Sequence, residues 1–114
     1  KVTKPENKAA DKYTTIDFIQ YIERNYQHDS LNNMAAHFNY HPNYLSNRLK
    51  NETGKSYMEL VQLQKMAVAT VFLSSTNLSV EEIVAEIGYS SVSFFYKKFK
   101  NFHGETPQKF RTNL

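Results

Sequence analysis

The chain has 114 residues, 40% of them hydrophobic, with no cysteine and a formal net charge of +3 at pH 7. That length holds one domain or two very small ones around a modest core. The composition excludes a disulfide framework and a thiolate metal site, and no apolar run approaches the roughly 20 residues that span a bilayer, so the reading is of a soluble, cytoplasmic protein.

Residues 1–12, "KVTKPENKAADK", are polar, broken by Pro5 and without apolar periodicity, and read as a linker or tail. The chain starts without methionine, which suits a piece of a longer protein. From Thr14 a helix is expected with Ile16, Ile19, Ile22 and Tyr26 inward and Glu23 and Arg24 outward. Ser30 suits an N-cap for a helix whose Leu31, Met34, Ala35 and Phe38 share a face. After a break at Asn39-Tyr40, Pro42 fits the first turn of a third helix with Leu45 and Leu49 buried, stopped by Gly54.

Ser56 and Glu59 form a capping-box pattern that opens a longer helix to about Leu73, with Leu60, Leu63, Ala67 and Val71 as its apolar stripe. At ~1.5 Å per residue that rod is ~27 Å long. Ser79 caps the next helix and Gly88 ends it. A helix over Ser91 to Phe102 follows, then Gly104, and Thr106-Pro107 opens a last short helix through Phe110 and Arg111. No period-two run or hairpin dipeptide argues for a strand.

The segment from Ser30 repeats from Ser79. At a shift of 49, Leu31 meets Val80, Met34 meets Ile83, Phe38 meets Ile87 and Tyr40 meets Tyr89; after the turn the shift is 50, and Leu45 meets Phe95, Leu49 meets Phe99 and Gly54 meets Gly104. Each copy is a short helix, a tight turn and a second helix, the arrangement that places a helix in the DNA major groove. At ~100° per residue, Leu45 and Leu49 leave Asn43, Asn47 and Lys50 on the opposite side with Ser46 at the flank. Phe95, Phe99 and Phe102 likewise define a buried side and leave Ser93, Lys97 and Lys100 opposite. Gly88 suits the positive φ of such a turn, and Asn39 is the non-glycine type that most readily adopts it. The helix starts at His41 to Asn43 and Ser90 to Ser93 offer donors where phosphate is favoured. Lys97, Lys98, Lys100, Lys109 and Arg111 also crowd the last eighteen residues, where Glu105 is the sole acid, which points to a polyanionic partner.

The stretch "VEEIVAEIGYSSVSFFYKKFKNFHGETPQKFR", Val80 to Arg111, resembles the signature of AraC/XylS-type bacterial transcription regulators. It carries the Ile83/Ala85 pair, the Gly88-Tyr89 turn, the Phe95, Phe99, Lys100 run and the Gly104-x-Thr106-Pro107 ending with its aromatic and Arg111. Leu49, Asn39 and Lys65 depart from the usual phenylalanine, glycine and arginine of that family. The resemblance implies an all-α, homeodomain-like fold of seven helices: two helix-turn-helix subdomains, 13–55 and 75–114, joined by a long linker helix over 56–74. It further implies that a monomer inserts two recognition helices into neighbouring major-groove segments, whose ~34 Å recurrence matches the length of the connector and the helices packed on it.

Family base-contacting positions fall on Asn43, Ser46 and Asn47, and on Val92, Ser93 and Lys97. Asn can bridge adenine N6 and N7, Lys can reach guanine O6 and N7, and Val92 can only meet a thymine methyl. Backbone contacts are expected from Ser30, His41, Tyr44, Lys50, Ser79, Ser90, Ser91, Tyr96, Lys98 and Lys100. The implied partners are double-stranded DNA and an N-terminal sensing or dimerisation region. An alternative is a helical interaction module contacting RNA polymerase or a partner subunit, since Asn43, Ser46 and Asn47 carry no charge.

Phe94 is expected to pack, Tyr96 either to pack or to lie against the sugar-phosphate backbone, and the phenylalanines at 95, 99 and 102 to be core. His37 and His41 have zinc-compatible spacing, but the break between them and the want of a third ligand argue against a metal; His28 and His103 read as surface or helix-end residues. No cofactor is expected. No Gly-rich phosphate loop occurs and Glu81, Glu82 and Glu86 lie on a short helix's outer surface, so no enzyme is expected.

Overall fold

A computed structural model describes residues 12–114; nearly all of the polar tail read from the sequence lies outside them. The described residues form seven α-helices and no strand: α1 (Thr15–Asn25), α2 (Leu31–Phe38), α3 (Pro42–Thr53), α4 (Tyr57–Ser75), α5 (Val80–Ile87), α6 (Val92–His103) and α7 (Pro107–Thr112). They divide into two compact units between Val61 and Gln62, inside α4. None of these helices is long and apolar enough to cross a membrane.

In the first unit, α1 and α2 pack on α3. Phe18, Met34, Leu45 and Leu49 are fully buried, with Tyr57, Leu60 and Val61 closing the same cluster. Phe18 and Phe38 meet edge to face at 5.1 Å between ring centres. Phe18 takes the place expected of Ile16, which is 67% exposed. Two residues are ~200° apart on a helix, so seating Phe18 beside Ile22 turns Ile16 outward.

In the second unit the core is Met66, Ala69, Leu73, Val80, Ile83, Val84, Ile87, Tyr89, Phe95 and Phe99. Here the expected stripe of the long helix fails: Leu63, Ala67 and Val71 are exposed. Tyr57, Leu60 and Val61 belong to the first cluster, and along the rest of α4 the buried positions are Met66, Ala69 and Leu73. Phe102 also corrects the expectation, being about half exposed. It lies on the last turn before Gly104, where Phe99 is covered instead by His103 and Phe110, at 4.4 and 5.6 Å between ring centres. By the shift of 50 it occupies the place of Glu52, a surface position.

Candidate nucleic-acid interface

Each unit builds its second helix from the same local parts. Ser30 Oγ accepts from the Asn33 N–H at 3.1 Å, and Ser79 does the same for Glu82, whose carboxylate returns to the Ser79 N–H at 2.8 Å. The shared helix α4 opens with the same reciprocal pair between Ser56 and Glu59. α2 ends at Asn39 with φ +60° and α5 at Gly88 with φ +88°, both left-handed. The next residues, Tyr40 and Tyr89, donate their N–H to Ala35 and Val84 carbonyls at 2.8 and 3.1 Å and bury their rings.

α3 starts with Pro42 in its first turn and His41 as cap, its Nδ1 accepting from the Asn43 N–H at 3.2 Å. That acceptor role leaves the ring's Nε2 to carry the proton. Leu45 and Leu49 point into the core, Asn43, Asn47 and Lys50 are exposed, and Tyr44 and Ser46 are half-buried. Lys50 pairs with Glu59 at 3.9 Å in an exposed position, where such pairs contribute little. Ser56's backbone N–H, then Lys50, hold the Glu59 carboxyl below its usual range.

α6 is capped by Ser91, which accepts from the Phe94 N–H at 3.1 Å. Phe95 and Phe99 are buried; Ser90, Ser93, Lys97 and Lys100 are exposed; Val92, Tyr96 and Lys98 are half-buried. Phe94, expected to pack, is 45% exposed. Its ring meets the edge of Tyr89 at 5.7 Å and is covered by Lys98 Nζ at 5.3 Å, so Lys98 lies back along its own helix. Tyr96 accepts a hydrogen bond from Gln108 of α7.

The turn of the second unit is held from α4. Tyr89 OH donates to Gln62, and Lys65 donates to the Gly88 carbonyl at 3.3 Å while lying 4.5 Å from the Tyr89 ring centre. Burial pushes the Lys65 ammonium below its usual pKa and the Tyr89 hydroxyl up to about 12. Arg111, counted above among the clustered cations, is half-buried and faces inward: it donates to the carbonyls of Leu73, Phe72 and Thr76 at 3.0, 3.4 and 3.3 Å, closing the C-terminus of α4. Neither role has a local signal in the sequence, because partners lie 23 to 39 residues away.

His37 lies against Tyr21 at 4.8 Å between ring centres, and His41 is a cap. Among the described residues no three His, Cys, Asp or Glu side chains are grouped to hold a metal ion.

Residues 34–113 match the family described as Helix-turn-helix domain. The chain is an AraC-type helix-turn-helix domain. It is 42% identical over 82 residues to the HTH-type transcriptional regulator YfiF of Bacillus subtilis, a match covering 72% of this chain and 26% of that protein. The C-terminal domain of AraT, a response regulator from Geobacillus stearothermophilus, superposes with a TM-score of 0.79 at 33% identity, over 84% of this chain and 81% of that one. The DNA-binding domain of AdpA shares the fold at a TM-score of 0.78 and 18% identity, over 83% and 86% of the two chains. As an AraC-type domain the chain is homologous to transcriptional regulators.

Proposed function

We propose that this AraC-type domain binds duplex DNA sequence-specifically, in the bacterial cytoplasm, as the output module of a longer transcription regulator. The supporting observation is the duplicated wedge: α3 and α6 each bury one flank and expose a polar one directly after a capped, left-handed turn. The similarity to YfiF, an HTH-type transcriptional regulator, and the fold shared with the AdpA domain, whose structure is in complex with a target DNA, agree with this reading. The chain spans about a quarter of YfiF's length, which leaves room for a sensing or dimerisation region elsewhere in the protein.

In this reading Asn43, Ser46 and Asn47 read one groove segment, and Val92, Ser93 and Lys97 the next. Ser30, Ser79 and Ser91 use their oxygens as cap acceptors and keep hydroxyl protons for phosphate; His41 offers Nε2–H. Lys50 and Lys100 supply charge, Ser90 a hydroxyl, and Tyr44, Tyr96 and Lys98 border the backbone. Neutralising ~6–10 phosphates makes affinity fall ~10³–10⁵-fold between 50 and 200 mM salt. Asn47→Ala and Lys97→Ala are each expected to cost ~1–3 kcal/mol on the correct site.

Selection of bound duplexes from a random pool tests the proposal. Enrichment of two half-sites about one helical turn apart is expected; a pool that stays random overturns it. The uncharged first face, Asn43, Ser46 and Asn47, favours one second reading, in which the first unit contacts RNA polymerase or a partner subunit. Footprint protection confined to a single groove segment is its signature.

A further inference from the structure

The first recognition helix carries a cation that turns away from the reading face. Arg48 on α3 donates Nε to Glu52 at 2.6 Å, Nη1 to the Tyr40 hydroxyl at 3.0 Å and Nη2 to the Tyr13 carbonyl at 3.2 Å. Its guanidinium lies 4.8 Å from the centre of the Phe18 ring. Glu52 completes the brace by accepting from the Thr15 hydroxyl at 2.6 Å. Arg48 and Glu52 together therefore join α3 to the turn before it, to the first turn of α1 and to the backbone just before α1. The turn residue Tyr40 in turn meets Tyr44 at 5.0 Å between ring centres, beside Asn43.

We propose that Arg48 is a positioning residue for sequence recognition: it fixes the pitch of α3, so that Asn43 and Asn47 meet base edges, without itself touching DNA. The proposal rests on the reading that α3 meets DNA. The planar fork matters, because three donors in fixed directions grip three partners, which an ammonium on a flexible stem cannot reproduce. The second unit lacks this brace: the residue equivalent by the shift of 50 is Lys98, which covers Phe94.

The test compares the wild-type chain with Arg48→Gln, Arg48→Lys and Tyr40→Phe. The last keeps the ring in the core and deletes only the hydroxyl that Arg48 grips. Affinities are measured for the selected duplex and for duplexes with either half-site scrambled; amide hydrogen exchange is followed without DNA. Arg48→Gln is expected to weaken the intact site by about tenfold, within the range one base contact discriminates. The loss is expected to vanish on the duplex whose first-unit half-site is scrambled and to persist when the other is scrambled. Arg48→Lys is expected to resemble Arg48→Gln, with Tyr40→Phe following the same pattern at smaller size. Exchange at residues 40–44 is expected to quicken while residues 80–103 are unchanged. Equal loss on all duplexes, or no loss, overturns the proposal. If the wild-type chain enriches no sequence, the DNA reading itself fails, and unchanged exchange at 40–44 then overturns the positioning role.

Discussion

The two units share a backbone plan and differ in what braces it. In the first, the brace is polar and sits on the unit's last complete helix, as Arg48 and Glu52 tie α3 to Tyr40, Tyr13 and Thr15. In the second, the equivalent helix α6 is held by rings, with Phe95 and Phe99 fully buried, while the polar braces Gln62, Lys65 and Arg111 lie on α4 and α7. The exposed faces also differ in charge, though at a single place. Lys50 of α3 and Lys100 of α6 are exposed at equivalent positions, whereas Asn47 of α3 stands where α6 exposes Lys97. A duplicated backbone plan thus tolerates different braces and a different exposed charge at one equivalent position.

The largest expected effect tests whether the second unit depends on its rings. Phe99→Ala removes a fully buried ring that also meets Phe95 and Phe110, and is expected to cost ~3–5 kcal/mol. Leu49→Ala at the matching position is expected to cost ~2–5 kcal/mol. Denaturant unfolding gives the sizes, and hydrogen exchange shows which unit opens. Loss of protection mainly over 31–53 in Phe99→Ala breaks the comparison.

Next is the brace without counterpart. Arg111→Ala leaves three carbonyls near the end of α4 without their charged donor, an expected loss of ~1.5–3 kcal/mol per charged hydrogen bond at most and less after water replaces it. The position equivalent by the shift of 50 is Val61, which is buried. Unfolding midpoints that match wild type show that the guanidinium does not brace this end.

What could be read in the chain beforehand follows the range of the interactions. Caps at Ser30, Ser56 and Ser79, the left-handed turns at Asn39 and Gly88, and the pairs Leu45/Leu49 and Phe95/Phe99 depend on residues within about two turns, so spacing reveals them. Ile16, Val71 and Phe102 mislead because a hydrophobic residue at helical spacing says nothing of which side its neighbours occupy. The reading face of α3 is visible as the complement of its buried stripe. Its brace is only half visible: Arg48 and Glu52 stand four apart, a familiar helix pair, but their partners Tyr13, Thr15 and Tyr40 are set by packing.

Turn chemistry gives a smaller test. Gly88→Ala places a Cβ at φ +88° and is expected to cost ~1–2 kcal/mol. Asn39→Gly relieves a similar conformation but loosens the unfolded chain, and is expected to change stability by less than ~0.5 kcal/mol. Equal losses in the two variants, measured by thermal unfolding, remove the distinction between the turns.

The smallest effect is a pH signature of the polar brace. The hydrogen bond from Arg48 holds the Glu52 carboxyl below its usual range, against burial and with help from Thr15. A carboxyl whose folded pKa is depressed binds fewer protons folded than unfolded, so its contribution is present above the unfolded value of ~4.3 and fades as pH falls through the folded one. Arg48 stays charged throughout, its burial outweighed by Glu52 together with Tyr40 and Tyr44. Glu52→Gln keeps the size of the side chain and deletes its titration. The stability gap between wild type and Glu52→Gln is therefore expected to be constant from about pH 7 to 5.5 and to shrink in acid below ~4.3. Glu82, also held below its usual range by its cap with Ser79, belongs to the second unit and is unchanged between the two proteins, so it cancels in the difference. A gap that stays constant down to pH 3 means that the carboxylate of Glu52 contributes no charge to the brace, and the contrast between a polar first unit and an aromatic second one then rests on the arginine fork alone.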